Sequence, residues 1–223
     1  MRAFRVLAVT ALVALDVSAA AAQSTRHFKD SWFWGVKGGG LFYQVQSDPG
    51  GSLAPLAGVD WLITRKSGGL YVAFDHSFFN QSVFVNDSVS PVENTVGGRE
   101  VDLRNMYRVT MAGMLFPLQN KFIQPYLGIG AALNSIGETE AQGTFTNPKQ
   151  ENLVAQTILQ FKAAASPVFI LGTQLRLPLA SAFGQVTATR AYRDYFLYNG
   201  PGWRATVEGG LRYNIGSSID RLR

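Results

Sequence analysis

Over residues 31–216 the side chains alternate between apolar and polar, and this two-residue period constrains the fold more than any other feature of the chain. Such a period puts successive residues on opposite faces of an extended strand, so it encodes sheet rather than helix. Eight segments carry it. In the first, residues 31–45, Trp32, Trp34, Val36, Gly38, Gly40 and Phe42 share one face; Phe33, Gly35, Lys37, Gly39, Leu41 and Tyr43 share the other. The second, 52–64, sets Leu53, Ala57, Val59, Trp61 and Ile63 against Asp60 and Thr64. The third, 70–80, sets Leu70, Val72, Phe74 and Phe78 against Tyr71, Asp75 and Ser77. The fourth, 99–116, places Val101, Leu103, Tyr107, Val109, Met111 and Leu115 opposite Asp102, Arg104, Arg108 and Thr110. The fifth, 122–135, places Ile123, Leu127, Ile129, Ala131 and Leu133 opposite Gln124, Tyr126, Gly128, Gly130 and Asn134. The sixth, 168–177, has Phe169, Leu171, Leu175 and Leu177 opposite Gln174 and Arg176. The seventh, about 183–193, has no readable phase, because Arg190 and Arg193 fall on opposite faces. The eighth, 203–216, sets Trp203, Val207, Leu211, Tyr213 and Ile215 against Arg204, Thr206, Glu208, Arg212 and Asn214.

The connections punctuate this pattern unevenly. Those after the second, fourth and sixth segments are short; those after the third and fifth are long, and that after the seventh is intermediate. The first, around Asp48-Pro49-Gly50-Gly51, is a turn by residue chemistry and breaks the rule. The fifth connection holds the one change of period. Asn147-Pro148 followed by Gln150 is a helix start, with a cap and Pro at the first helical position. Val154, Ile158, Phe161 and Ala165 then recur at helical spacing until Ser166-Pro167. This predicts a helix over 148–165; an extra strand is the alternative.

In seven segments every Lys, Arg, Asp and Glu but Arg99, the first residue of the fourth, lies on the face opposite the apolar one. A Lys or Arg facing lipid at mid-membrane costs about 2–4 kcal/mol, a penalty that enforces such segregation. A soluble sandwich alternates in the same way, but its inner face wants bulk at every position. Here the apolar face has gaps at Gly38, Gly40 and Gly113, while the polar face carries long Arg and Tyr chains that a narrow lumen can hold as packed pairs. An even count of strands with alternating short turns and long loops is the rule for outer-membrane barrels. The fold class expected is all-β: an eight-stranded antiparallel transmembrane barrel, residues 31–216, with one helix in an extracellular loop.

The N-terminus fits export. Arg2 and Arg5 precede an apolar run from Val6 to Leu15, and Ala20-x-Ala22 before Gln23 offers a cleavage site. The run is too short to span ~30 Å of hydrocarbon. Residues 1–22 therefore read as a signal peptide, 23–30 as an N-terminal segment and 217–223 as a tail. Losing Arg2, Arg5 and Asp16 takes the net charge from +5 to +4, a scattered surplus with no basic run, so nucleic acid is not an expected partner. The chain has no Cys, which excludes disulfides and thiolate chemistry.

The signal sequence, Gln124-Pro125-Tyr126-Leu127-Gly128-Ile129-Gly130, and the final Glu208-Gly209-Gly210-Leu211-Arg212-Tyr213-Asn214-Ile215-Gly216 together resemble the small outer-membrane β-barrels of Gram-negative bacteria, the class that includes OmpX and the OmpA transmembrane domain. The resemblance implies residence in the outer membrane, contact with its lipid and with the machinery that assembles barrels, and a monomer. That class commonly ends on a terminal aromatic, whereas this chain runs on to Arg223.

Two further roles need weighing. Lipid A deacylases and acyltransferases are also outer-membrane barrels, and they need Ser, His and an acid at one place. The only histidines are His27 and His76, and adjacent His76 and Ser77 point to opposite faces of a strand. Asp60 and Asp75 both face inward and invite acid–base chemistry, but Lys37 and Arg108 lie near them, so an ion-pair network is the stronger expectation. That network is expected to comprise Lys37, Asp60, Asp75, Asp102, Arg104, Arg108, Arg176, Arg204, Glu208 and Arg212, with an excess of cations. Trp32, Trp34, Tyr107, Trp203 and Tyr213 are expected as interface aromatics. No metal-ligand spacing stands out, and Gly38-Gly39-Gly40 is no phosphate loop, because no Lys-Ser/Thr follows it. No cofactor is expected. The sequence points to a non-enzymatic structural or cell-surface role; the alternatives are a narrow pore or hydrophobic-solute channel and, behind it, a lipid A-modifying enzyme.

Overall fold

The computed structural model describes residues 30–45, 48–87, 98–118, 122–177, 180–191, 195–198 and 202–217. The expected signal peptide and nearly all of the N-terminal segment and the C-terminal tail lie outside them. Eight strands form a closed barrel, each antiparallel to its neighbours, with the last pairing back to the first. They are β1 (Ser31–Val45), β2 (Asp48–Arg65), β3 (Gly68–Asn86), β4 (Gly98–Leu115), β5 (Ile123–Ala141), β6 (Ala163–Arg176), β7 (Ser181–Ala191) and β8 (Gly202–Ser217), with helix α1 (Pro148–Phe161) between β5 and β6. Closure removes the sheet edges, so the strands satisfy one another's backbone groups. Crossing paired residues from Trp32 leads through Ile63, Leu70, Gly113, Ile129, Phe169, Ala188 and Ala205, and arrives next to the Leu41–Thr206 pair rather than back at Trp32. This stagger tilts the strands roughly 35–45° to the barrel axis. One end of the barrel carries the connections after β2, β4 and β6 (the turn end); the other carries the remaining connections and α1 (the loop end).

The faces of β1, β2, β6 and β8 follow the expected alternation, and β7 acquires a phase: Phe183, Gln185 and Thr187 point inward, Val186 and Arg190 outward. In β4 the alternation breaks. Asn105 adopts a left-handed backbone, φ 58°, between the Arg104–Glu138 and Met106–Ile136 pairs, and the β3–β4 register shifts between Ser77 and Asn80. Asn tolerates that conformation better than most residues. Here Asn105 alone stands opposite two residues of β3, Phe78 and Phe79, and level with Gly137 of β5, and this step reverses the faces of β4. Met106, Arg108, Thr110, Ala112 and Met114 point inward, but beyond the kink Val101 and Leu103 are the buried residues. Asp102 and Arg104 therefore face outward, contrary to expectation. β5 follows its partner: Ile136 is buried and Glu138 and Glu140 are exposed. β3 keeps its phase but changes its residues, with Asp75 and Ser77 inward below this level and Val83 and Val85 inward above it.

The molecule thus has two tiers. In the belt, below Asn105, the outer face is apolar and the interior largely polar. In the cap, above it, the interior is apolar and the outer face of β4 and β5 carries Glu100, Asp102, Arg104, Glu138 and Glu140. Helix α1 crosses the loop end over β3 and β6. It starts where expected, with the Asn147 side chain accepting from Gln150 N at 3.0 Å, but ends at Phe161 rather than at 165. Val154 is buried and Ile158 packs on the cap interior. Ala165 belongs to β6 instead, on its exposed face, because β6 starts at Ala163 in pairing with Ser135.

Candidate functional site: the barrel interior

The interior is filled in three layers. At the turn end, Phe33, Leu62, Met114, Phe116, Tyr126 and Ile170 form an apolar plug. Above it lie two groups of ion pairs. Arg212, fully buried, grips Asp60 with Nε–Oδ1 at 2.8 Å and Nη2–Oδ2 at 3.3 Å. It also donates to Gln174 Oε1 at 3.1 Å and lies 3.7 Å over the Phe183 ring. Gly35 makes room for this pair: a Cβ there would fall 2.6 Å from Asp60 Oδ1 and 2.9 Å from Arg212 Cγ. In the second group, Lys37 Nζ sits 2.7 Å from both Asp75 Oδ1 and Glu208 Oε2. Arg108 Nη2 lies 2.7 Å from Asp75 Oδ2 and also pairs with Glu208, while Nη1 donates to Thr206 Oγ1 at 3.0 Å. Gln185 joins the groups, donating to Glu208 Oε2 at 2.9 Å and to Tyr71 OH at 3.1 Å, and accepting from Tyr126 OH at 2.9 Å.

Three cations thus face three anions, and the buried set is neutral. This balance explains how it survives: an ion removed from water is tolerable only with a close partner and hydrogen bonds for its remaining atoms. Of the ten residues expected in the network, six meet: Lys37, Asp60, Asp75, Arg108, Glu208 and Arg212. Arg176 and Arg204 point inward but lie half-buried toward the two ends, and Arg204 donates to Gln44 Oε1. Asp102 and Arg104 are corrected to the outer face of the cap, where Asp102 accepts from Ser82 Oγ at 2.8 Å and from Gln142. Asp102 and Arg104 cancel in charge, and with Arg176 and Arg204 set toward the ends the expected excess of cations disappears from the layer. Sequence reasoning missed Tyr71, Tyr126, Gln174, Gln185 and Thr206 as partners. Inward parity was the available signal for all but Gln185, which lies on the strand without a readable phase.

The third layer is the cap interior. Leu41, Val101, Leu103, Met106 and Ile136 pack with Tyr195, Leu197 and Tyr198 from the β7–β8 connection. That connection is tied across the opening: Gln44 N donates to Leu197 O at 3.0 Å, and Phe196 N to Phe161 O at 3.2 Å. Burial pushes the Tyr195 hydroxyl well above the ordinary phenol range, so it stays neutral. α1 is pinned beside it. Asp87 accepts from Gln150 Nε2 at 2.8 Å and pairs with Arg99 Nε at 3.3 Å.

On the outside, aromatic residues gather at both edges of the belt. Trp32, Trp34 and Trp61 pack together near the turn end, with ring centroids 5.3 and 5.8 Å apart, and Tyr213 pairs in register with Trp34. Toward the loop end Tyr107 stacks on Phe74 and His76 at 6.0 and 4.7 Å, and Trp203 meets Phe169 at 5.4 Å. His76 and Ser77 occupy opposite faces, His76 outward among these rings and Ser77 fully buried. Asp60 and Asp75 are not a carboxylate pair, since each is held by its own cations.

No protein-family model matches the chain, and no curated protein is similar to it in sequence. Its similarity lies with solved structures. Neisserial surface protein A superposes with a TM-score of 0.50 at 8% identity, covering 82% of this chain and 96% of that one. OprG of Pseudomonas aeruginosa matches at 0.45 and 12%, covering 83% and 97%. Ail, the attachment invasion locus protein of Yersinia pestis, matches at 0.43 and 10%, covering 83% and 100%. The closed eight-stranded sheet, its outward apolar belt and the likeness to the neisserial barrel lead to one conclusion: the chain has the fold of the small outer-membrane β-barrel proteins that its sequence resembles.

Proposed function

We propose that this protein is a closed barrel of the outer membrane that works through its external face, as a structural or surface-interaction element, and neither conducts solutes nor catalyses a reaction. The observation that carries this reading is the filling of the interior: a neutral ion-pair layer lies between two apolar ones. An ion crossing it must break buried charge pairs and enter apolar packing, each costly in a medium of low dielectric. The belt, with its two aromatic edges, serves to hold the barrel in lipid. By the loop rule the loop end is external, so α1, the β7–β8 connection and the polar outer wall of β4–β5 form the surface offered to partners. Export by the N-terminal sequence and folding by the barrel-assembly machinery belong to the same reading.

Conductance of the refolded protein in planar lipid bilayers tests it. Insertion without discrete current steps is expected. Reproducible, long-lived steps of constant size would establish a pore instead.

A further inference from the structure

Between the ion-pair layer and the cap interior lies a level at which the packing leaves polar atoms without protein partners. Ser77 Oγ, Asn134 Oδ1, Ser166 Oγ and the Tyr195 hydroxyl make no hydrogen bond to the protein, although each residue is no more than 2% exposed. The register sets the first three on one side of the inner wall, Ser77 on β3 and Asn134 and Ser166 across β4 from it on β5 and β6. Asp75 pairs with Arg108, and Arg108 with Asn134, while Ser77 is the next inward residue along β3. Ala132 pairs with Ser166 and Ala164 with Asn134, so Asn134 and Ser166 are diagonal neighbours on the inner wall of β5 and β6. Tyr195 packs with Met106 and Ile136, one inward position further toward the loop end on β4 and β5. The wall between these groups is built from Ala132 and Ala164, whose side chains are short.

Four buried groups of this kind each cost about 1–3 kcal/mol if left unpaired. Protein interiors relieve such clusters with ordered water, which needs two to four polar partners and little room. The set also has the right character for it. Three hydroxyls can donate or accept, one amide oxygen accepts, and the nearby charges already neutralise one another. Nothing at this level calls for an ion.

We propose that Ser77, Asn134, Ser166 and Tyr195 line a sealed chamber that binds a cluster of ordered water, forming a wet seam between the ion-pair layer and the cap. This inference rests on the closed interior proposed above. It means that the β7–β8 connection meets the layer beneath through water rather than through matched packing, so the cap can change without disturbing the ion pairs.

Magnetisation transfer from water to the protein, recorded by NMR in lipid nanodiscs, tests the chamber. Direct water contacts of long residence are expected around Ser77, Asn134 and Ser166. They should be lost in the Asn134→Leu/Ser166→Val protein, whose folded state is checked by its resistance to unfolding in detergent at room temperature. Absence of such contacts in the parent protein overturns the chamber and leaves the closed interior standing. Contacts with rapidly exchanging bulk-like water overturn the seal, and with it the closed interior. If the double variant fails to fold, Ser77→Ala and Ser166→Ala singly provide the same comparison: each should lose its local contact, and retention of both overturns the assignment.

Discussion

The belt and the cap are built from the same eight strands, yet their polarity is reversed. In the belt Val109, Met111, Leu127 and Ile129 face outward and Arg108, Asp75, Glu208 and Arg212 face inward. In the cap Val101, Leu103, Val83 and Val85 face inward and Asp102, Arg104, Glu138 and Glu140 outward. One principle accounts for both. Each tier presents to its surroundings what those surroundings solvate, hydrocarbon around the belt and water around the cap, and encloses the remainder. The interior contents follow by exclusion: charged chains fill a belt whose outside must be apolar. On β4 the change is made by a single residue, Asn105, whose left-handed backbone lets one strand serve both tiers. On β3 it is made by composition alone. In the proposed setting the boundary between tiers marks the outer membrane surface.

The largest losses are expected inside the belt. Arg212→Leu leaves Asp60 buried without its cation, and loss of one member of such a pair costs about 3–5 kcal/mol. Urea titration of the refolded barrel should show that loss, and Asp60→Asn in the same protein should recover part of it. A neutral Arg212→Leu would mean that the layer is loosely hydrated. Next in size is charge on the outer face of the belt. Leu127→Arg should cost about 2–4 kcal/mol in lipid vesicles. If it is no less stable than the parent, that face does not meet lipid. The kink itself is worth less. Asn105→Val demands a left-handed backbone from a β-branched residue, at roughly 1–2 kcal/mol, whereas Asn105→Gly should be nearly neutral. Equal effects of the two would deny the kink its part in the reversal. The smallest effect is expected at Arg104. Arg104→Leu should leave the unfolding midpoint unchanged, because the side chain is exposed on the cap wall rather than paired in the interior.

Much of the belt was legible from the sequence. Strong contrast between faces, as on β8 with Arg204, Glu208 and Arg212 against Val207, Leu211 and Ile215, fixes a strand's phase without further help. β7 lacks that contrast: its inward residues include the uncharged Gln185 and Thr187, and its outward ones the small Gly184 and Ala188. The error at Asp102 and Arg104 has a different origin. Both share even parity with Arg108, so unbroken alternation assigned all three to one face. Alternation carries no mark of a left-handed step within a strand; the trace was Asn105 itself, a residue tolerant of that backbone, set between the two halves. The helix was legible at its start, where Asn147 and Pro148 specify a cap, and not at its end. There the pairing of Ala163 and Ala164 with β5, a contact distant in sequence, overrides the helical spacing of Ala165. The neutrality of the ion-pair layer was hidden for another reason: Asp102 and Arg104 cancel, and the two surplus cations, Arg176 and Arg204, have inward parity, which carries no information on how far toward the barrel ends a side chain lies.

Lipid and water accessibility along β4 tests the reversal most directly. The chain has no Cys, so single cysteines can be placed at each position from 100 to 115 without background. Each is labelled with a nitroxide in lipid vesicles, and its exposure to oxygen, which partitions into lipid, is compared with its exposure to a water-soluble nickel chelate. The reversal predicts a lipid-exposed series at 107, 109, 111, 113 and 115, a water-exposed series at 100, 102 and 104, and neither exposure at 101, 103, 106 and 108. A lipid-exposed series that continued on odd residues through 103 and 101 would contradict it.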